Sequence, residues 1–118
     1  MFDNTLAFCR ALPSVTTEMK MDNELRFFVG EKLFAMLSMD EPHRISFKCI
    51  PAQFHKLIGK PGIVPAPYLA RYHWVQLNQD DTIPEPELEN YLHNAYELVF
   101  GSLPEKDQQY IRNHEAHA

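Results

Sequence analysis

Short apolar runs, some of them alternating with polar residues, lie between residues 16 and 49 and predict the strands of an antiparallel sheet. From Ile45 to Cys49 every second residue is apolar, which predicts a strand with one buried face and Lys48 on the other face. Three further strands are predicted over residues 16–21, 25–29 and 32–37. The last two flank Gly30 and Glu31, a two-residue linker whose leading glycine predicts a type II′ hairpin turn.

Helical spacing of apolar residues predicts four helices. They span residues 3–12, 52–58, 82–100 and 104–113. The third has the clearest pattern, because one face carries an apolar stripe of Leu88, Tyr91, Leu92, Ala95 and Val99. Thr82 and Glu85 form a capping-box pattern at its start.

The segment from Ile63 to Val75 fits neither pattern. Pro65 and Pro67 cannot donate to a sheet ladder, so we expect an extended or turning segment at a sheet edge. A strand resumes at Trp74.

This order of elements predicts an α+β fold, in which an antiparallel meander sheet packs against helices. The length of 118 residues is that of one domain. We assign residues 1–113 to that domain and expect residues 114–118 to be a flexible tail.

Composition places the chain among cytoplasmic proteins. No apolar run approaches the length of a membrane helix, and no signal peptide is visible at the N-terminus. Cys9 and Cys49 are predicted to be free thiols in a reducing compartment. Because Cys49 shares its strand face with apolar residues, we expect it to be a buried structural residue.

Charge is distributed unevenly. The net charge of −5 opposes strong binding to nucleic acid, because phosphate neutralisation drives such binding. Residues 20–75, however, hold eight basic and five acidic residues, whereas residues 76–118 hold two basic and nine acidic ones. The central segment can therefore form a mildly basic face. Equally, the acidic half can simply keep the protein soluble.

Aromatic and cationic residues interleave between Tyr68 and Trp74, where Arg71, Tyr72 and His73 also lie. Such a mixture can stack on bases or sugars and hold phosphate. The alternative is that Tyr68 and Trp74 are core residues of a strand and the segment leading into it.

Motifs for catalysis and cofactor binding are absent. The four glycines form no phosphate-binding loop, the cysteines have no zinc spacing, and no nucleophile–base pair is evident. We therefore expect no enzyme, cofactor or metal site. A metal role would require Glu85 and Glu89 together with Asp80 and Asp81.

Five ordered segments resemble the MmcQ/YjbR family. They are residues 12–18, 28–35, 47–51, 65–68 with Trp74 and Val75, and 95–99. The resemblance spans roughly residues 5–105 and implies a fold similar to the CyaY/frataxin type. It also implies DNA binding through a "double wing" of hairpins. On this chain the wings would be the Gly30–Glu31 hairpin and the turn around Arg71 and His73.

Two functions follow as hypotheses; neither involves a membrane, and a monomer is favoured although the sequence does not give the oligomeric state. The first is weak, non-specific DNA binding, for which the candidate residues are Arg26, Lys32, Lys48, Lys60, Arg71 and His73. The second is a binding module for a protein or small ligand. Its candidate site is an aromatic cleft formed by Tyr68, Tyr72 and Trp74.

Overall fold

A computed structural model of the chain describes residues 2–78 and 83–116. The four helices are α1 (Phe2–Ala11), α2 (Pro51–Ile58), α3 (Glu85–Phe100) and α4 (Glu105–Ala116). The strands are β1 (Val15–Lys20), β2 (Glu24–Val29), β3 (Lys32–Ser38), β4 (Ile45–Lys48), β5 (Ile63–Pro65) and β6 (Trp74–Leu77). The predicted α+β fold, with helices against an antiparallel sheet, is confirmed.

The described strands form one antiparallel sheet in the order β1-β2-β3-β4-β6-β5. The first four make the predicted meander. The proline-rich segment supplies β5, a three-residue strand at the sheet edge, where a missing N–H donor is tolerated. β6 then inserts between β5 and β4, so Trp74 lies opposite Lys48.

The β2–β3 hairpin has a tight two-residue turn, as predicted, but of a different type. Gly30 and Glu31 both have positive φ, 56° and 68°. Positive φ at both central residues belongs to type I′, whereas type II′ requires it at the first alone. A Cβ at residue 30 would lie 2.6 Å from Leu103 Cδ1, so close packing also favours glycine.

The hydrophobic core lies on one face of the sheet, beneath the helices. Strand residues from β2, β3 and β4 meet the inner stripe of α3, and β6 packs against α2. In that stripe Leu88, Leu92, Ala95 and Val99 are buried as predicted, whereas Tyr91 is only partly buried. A β-bulge beside Phe27 turns both Phe34 and Ala35 into this core.

The helix boundaries shift slightly from the predicted ones. α3 begins at Glu85 after Pro84, and the predicted cap residue Thr82 lies outside the described residues. α4 continues to Ala116, past the predicted boundary at residue 113. Flexibility of residues 114–118 stays a prediction.

Candidate functional site

The face of the sheet opposite the helices, here called the open face, carries the candidate site. Strand pairing aligns a row of side chains across it: Glu18, Arg26, Met36, Ser46, Gln76 and Val64. The adjacent row points the other way, into the core, and consists of Leu25, Leu37, Ile45 and Leu77, which pair with one another across the strands. The open face is therefore the polar side of an alternating sheet.

A cavity of about 860 Å³ lies on the open face. Its charged lining residues are Lys20, Asp22, Glu24, Arg26 and Arg44, and its floor includes Met36, Ser46 and Gln76. The segment after β5 contributes Ala66, Pro67, Tyr68 and Leu69. This volume is within the range of small-molecule sites.

Most of the charges on this face are paired. Lys20 Nζ lies 2.6 Å from Glu18 Oε1, and Arg26 Nε lies 2.7 Å from Glu24 Oε1. Within residues 2–78 and 83–116, the Arg44 guanidinium has no ion-pair or hydrogen-bond partner. Arg44 is thus a cation available to a ligand.

The β2–β3 turn and the β5–β6 loop emerge at the same end of the sheet, here called the hairpin end. Three of the predicted DNA contacts lie there. Lys32 follows the β2–β3 turn, and its ammonium lies 3.4 Å from the Ser102 carbonyl oxygen. Lys48 ends β4 and donates to the Tyr72 carbonyl oxygen at 3.0 Å. The Arg71 guanidinium stacks 4.9 Å from the centre of the Tyr72 ring.

The other predicted contacts lie elsewhere. Arg26 is in the middle of the open face, within the cavity lining. Lys60 follows α2 at the opposite end of the sheet, 4.0 Å from a Glu87 carboxylate oxygen. The His73 ring packs edge-on against Phe54 of α2, on the helical side. The structure therefore does not bring the six candidates together.

The predicted aromatic cleft requires a correction. Tyr68 is 99% exposed and lines the cavity, and Tyr72 is 48% exposed. Trp74, however, is only 4% exposed and does not line the cavity. Its pairing with Lys48 places the indole on the open face, away from the helices, so we infer that the Ala66–His73 loop covers it. Hydrogen bonds from Ala66 N to Trp74 O and from Trp74 N to Leu69 O hold that loop.

Sequence reasoning missed Lys20, Arg44, Ser46 and Gln76 as members of this face. Ser46 and Gln76 alternate with core residues in their strands, which is the signal that could have identified them. Arg44 lies two residues before Ser46 and shares its face by the same alternation.

Both cysteines are buried free thiols, which confirms the structural interpretation of Cys49. Burial raises the pKa of the Cys49 thiol to about 11, against a smaller lowering by Lys48. Burial, and to a lesser extent the negative charge of Glu89, raises the pKa of the Cys9 thiol to about 12. Neither thiol is activated at neutral pH.

Alkaline pH should destabilise the protein through Cys9. Above the ordinary thiol pKa of 9.0 the unfolded chain loses this proton, whereas the folded protein keeps it up to about pH 12. Stability is therefore lost as pH rises through this window, by about 1.5 kcal/mol between pH 9 and 10.5. Urea unfolding of the wild type and Cys9→Ala at both pH values measures this loss, which should be smaller in the variant. Equal losses in the two proteins would contradict the assignment.

The described residues show neither a metal cluster nor a membrane-spanning helix. They contain no group of three or more His, Cys, Asp or Glu side chains arranged to hold a metal ion. The predicted acidic partners Asp80 and Asp81 lie outside the described residues. In the same part of the chain, none of the helices has the length and apolar character needed to cross a bilayer.

Comparison with known families decides the assignment. The sequence model of the YjbR family matches residues 10–98. This chain belongs to the YjbR family. The match confirms the resemblance found in the five sequence segments. A comparison with curated proteins finds no match.

Solved structures support the fold of this YjbR chain. The Deinococcus radiodurans protein DR2400, described as a DUF419 domain, superimposes with a TM-score of 0.81 at 23% identity. That alignment covers 94% of this chain and 87% of the other. A Pseudomonas syringae protein solved by structural genomics superimposes with a TM-score of 0.66 at 20% identity, covering 81% of this chain and 96% of the other. At these identities the likeness concerns the fold alone.

Proposed function

We propose that this YjbR domain is a cytoplasmic, non-catalytic DNA-binding protein that contacts phosphates weakly and without sequence preference. The observation that carries this proposal is the position of the two hairpins at one end of the sheet. The β2–β3 turn and the β5–β6 loop are three strand spacings apart, about 14 Å. Between them, Lys32, Lys48 and Arg71 present three cations.

The charge balance limits the affinity. Glu31 lies at the tip of the first hairpin beside Lys32, and the whole chain carries a net charge of −5. Three phosphate contacts give a salt slope of about −2.7, and Kd lies in the non-specific range of about 10⁻⁴ to 10⁻⁶ M at physiological salt. These values describe weak association with DNA.

Fluorescence anisotropy of a labelled duplex tests this function. Raising the salt from about 50 to 200 mM should weaken binding about 40-fold if three phosphates are contacted. Lys32→Ala and Arg71→Ala should each weaken binding to any duplex sequence and reduce the salt slope by about 0.9. Both side chains are exposed, so the fold should be retained.

Lys106→Ala is the matched control, because it removes one exposed lysine from α4. It should leave the salt slope unchanged. Equal effects of Lys106→Ala and Arg71→Ala would mean that the hairpin end is not the binding surface. Absence of binding at the lower salt concentration would reject DNA binding.

A second function is favoured by a separate observation, the cavity of about 860 Å³ on the open face. Tyr68 lines this cavity, so a small-ligand module near Tyr68 is supported in modified form, with Trp74 as part of the scaffold. The cavity lies beside the hairpin end and uses different cations. Binding of a small molecule there does not require DNA binding.

A further inference from the structure

The cavity on the open face is divided into a charged side, whose lining includes the Asp22 carboxylate as well as cations, and an apolar side. Lys20, Glu24, Ser38 and Arg44 follow one another across the sheet at the end opposite the hairpins. Toward the hairpin end the lining changes to Leu33, Leu69, Ala66, Pro67 and Tyr68. Met36 lies between the two sides. A molecule that fills the cavity meets charge at one end and apolar surface at the other.

The charged side can accept an anion at Arg44, away from the two ion pairs. The pairs Lys20–Glu18 and Arg26–Glu24 are both more than a third exposed on average, and pairs of this kind contribute little to stability. Arg44, which has no partner in the described part of the chain, offers a planar guanidinium suited to carboxylate, sulfonate or phosphate oxygens.

The floor supplies neutral hydrogen-bonding groups. The Ser46 hydroxyl and the Gln76 amide lie opposite each other on β4 and β6. Neither has a hydrogen-bond partner among the residues that the structure describes. Ser46 is only 7% exposed, so the little surface it retains faces the cavity. A ligand group above this pair gains both a donor and an acceptor.

Tyr68 forms an unusual wall on the apolar side. Its φ of 66° is in the left-handed region, which is costly for a bulky side chain. Its side chain is nevertheless 99% exposed and makes no packing contact that would compensate for this conformation. The loop thus holds an aromatic ring in solvent beside the cavity, where it can close over a flat ligand.

We propose that the open face binds a small organic anion, with its acidic group at Arg44 and its flat apolar body over Met36 and Leu33, beneath Tyr68. This inference rests on the second function proposed above and adds the chemical class of the ligand. The cavity volume fits one such molecule. The separation of charged from apolar lining residues determines which end of the ligand lies at Arg44.

A matched pair of fluorescent probes tests whether the ligand is an organic anion. Anilinonaphthalene sulfonate has an aromatic body and an anionic group, whereas phenylnaphthylamine has the same body without the anion. The folded protein should bind the sulfonate dye at least about tenfold more tightly than the neutral dye, because one charged hydrogen bond typically lowers Kd by about that factor. Circular dichroism confirms that the protein stays folded during both titrations.

Variants locate the site. Arg44→Gln should weaken sulfonate binding about tenfold and leave binding of the neutral dye unchanged. Tyr68→Ala should weaken both dyes, because both use the apolar side. Lys106→Gln on α4 is the charge-matched control and should change neither.

The possible failures can be told apart. Equal affinity for the two dyes, with no effect of Arg44→Gln, would overturn the anionic class while leaving the cavity as a binding site. Absence of binding by both dyes would reject the ligand-binding function itself. Displacement of the sulfonate dye by a single-stranded oligonucleotide, with loss of that displacement in Arg44→Gln, would assign the face to nucleic acid and overturn the proposal.

Discussion

Replacing Phe34 with alanine should lower the free energy of unfolding by about 3–5 kcal/mol. Phe34 is fully buried, meets the Tyr96 ring edge-on at 5.5 Å and lies 6.2 Å from the Phe27 ring. Truncation leaves a cavity between β3 and α3 that the surrounding rings cannot fill. A domain of this size has a total stability of about 5–15 kcal/mol, so the variant should lose a large part of it.

Urea unfolding followed by circular dichroism measures this loss. The slope of unfolding free energy against urea concentration should stay unchanged, which indicates an effect on the native state. Phe28→Ala is the matched control, because Phe28 adjoins the same bulge but lies on the open face and is only partly buried. It should cost about 1 kcal/mol. Equal costs for the two variants would show that the bulge does not direct Phe34 into the core.

The bulge marks the limit of what periodicity predicts. Residues 33–37 are all apolar, so the sequence identifies a strand but not which residues face inward. Between Ile45 and Lys48, strict alternation predicted the faces correctly, as the strand pairing shows, although Ser46 on the open face is also buried. In β3 the register shift beside Phe27 makes two successive residues face the core. That shift depends on pairing with β2 and cannot be found in β3 alone.

The candidate site was predictable only in part. Residues 68–74 were selected because aromatic and cationic types cluster there, and this loop does border the open face. Local sequence, however, cannot distinguish Tyr68 from Trp74, which lie at opposite extremes of exposure. Their difference arises because pairing of β6 with β4, between residues about 26 positions apart, fixes Trp74 in the sheet, where the Ala66–His73 loop covers it.

The charged and apolar sides of the cavity are also produced by strand pairing between distant residues. Lys20 ends β1 and Arg44 immediately precedes β4, and neither has a neighbouring motif that indicates binding. The meander brings them to one row because each strand reverses direction. Clusters assembled in this way across strands leave no local pattern, whereas a hairpin turn or a helix start does.

Trp74 provides the second large expected effect. Trp74→Ala should lower the free energy of unfolding by about 3–5 kcal/mol, as for other buried aromatic residues. The indole is 4% exposed although it faces away from the helices, so its burial depends on the Ala66–His73 loop. Its removal should also release that loop, which carries Tyr68 and Arg71. Urea unfolding followed by circular dichroism measures the first effect, and the rate of tryptic cleavage after the exposed Arg71 measures the second.

Two variants define what the result means. Trp74→Phe keeps an aromatic ring and should retain most of the stability and the slow cleavage. Tyr68→Ala removes a fully exposed ring from the same loop and should change stability by less than about 0.5 kcal/mol. If Trp74→Ala were as mild as Tyr68→Ala, the indole would not anchor the loop, and an open aromatic cleft containing Trp74 would become the better description. A large cost with faster cleavage at Arg71 would instead show that Trp74 fixes the loop that carries Tyr68, at the cavity, and Arg71, at the hairpin end.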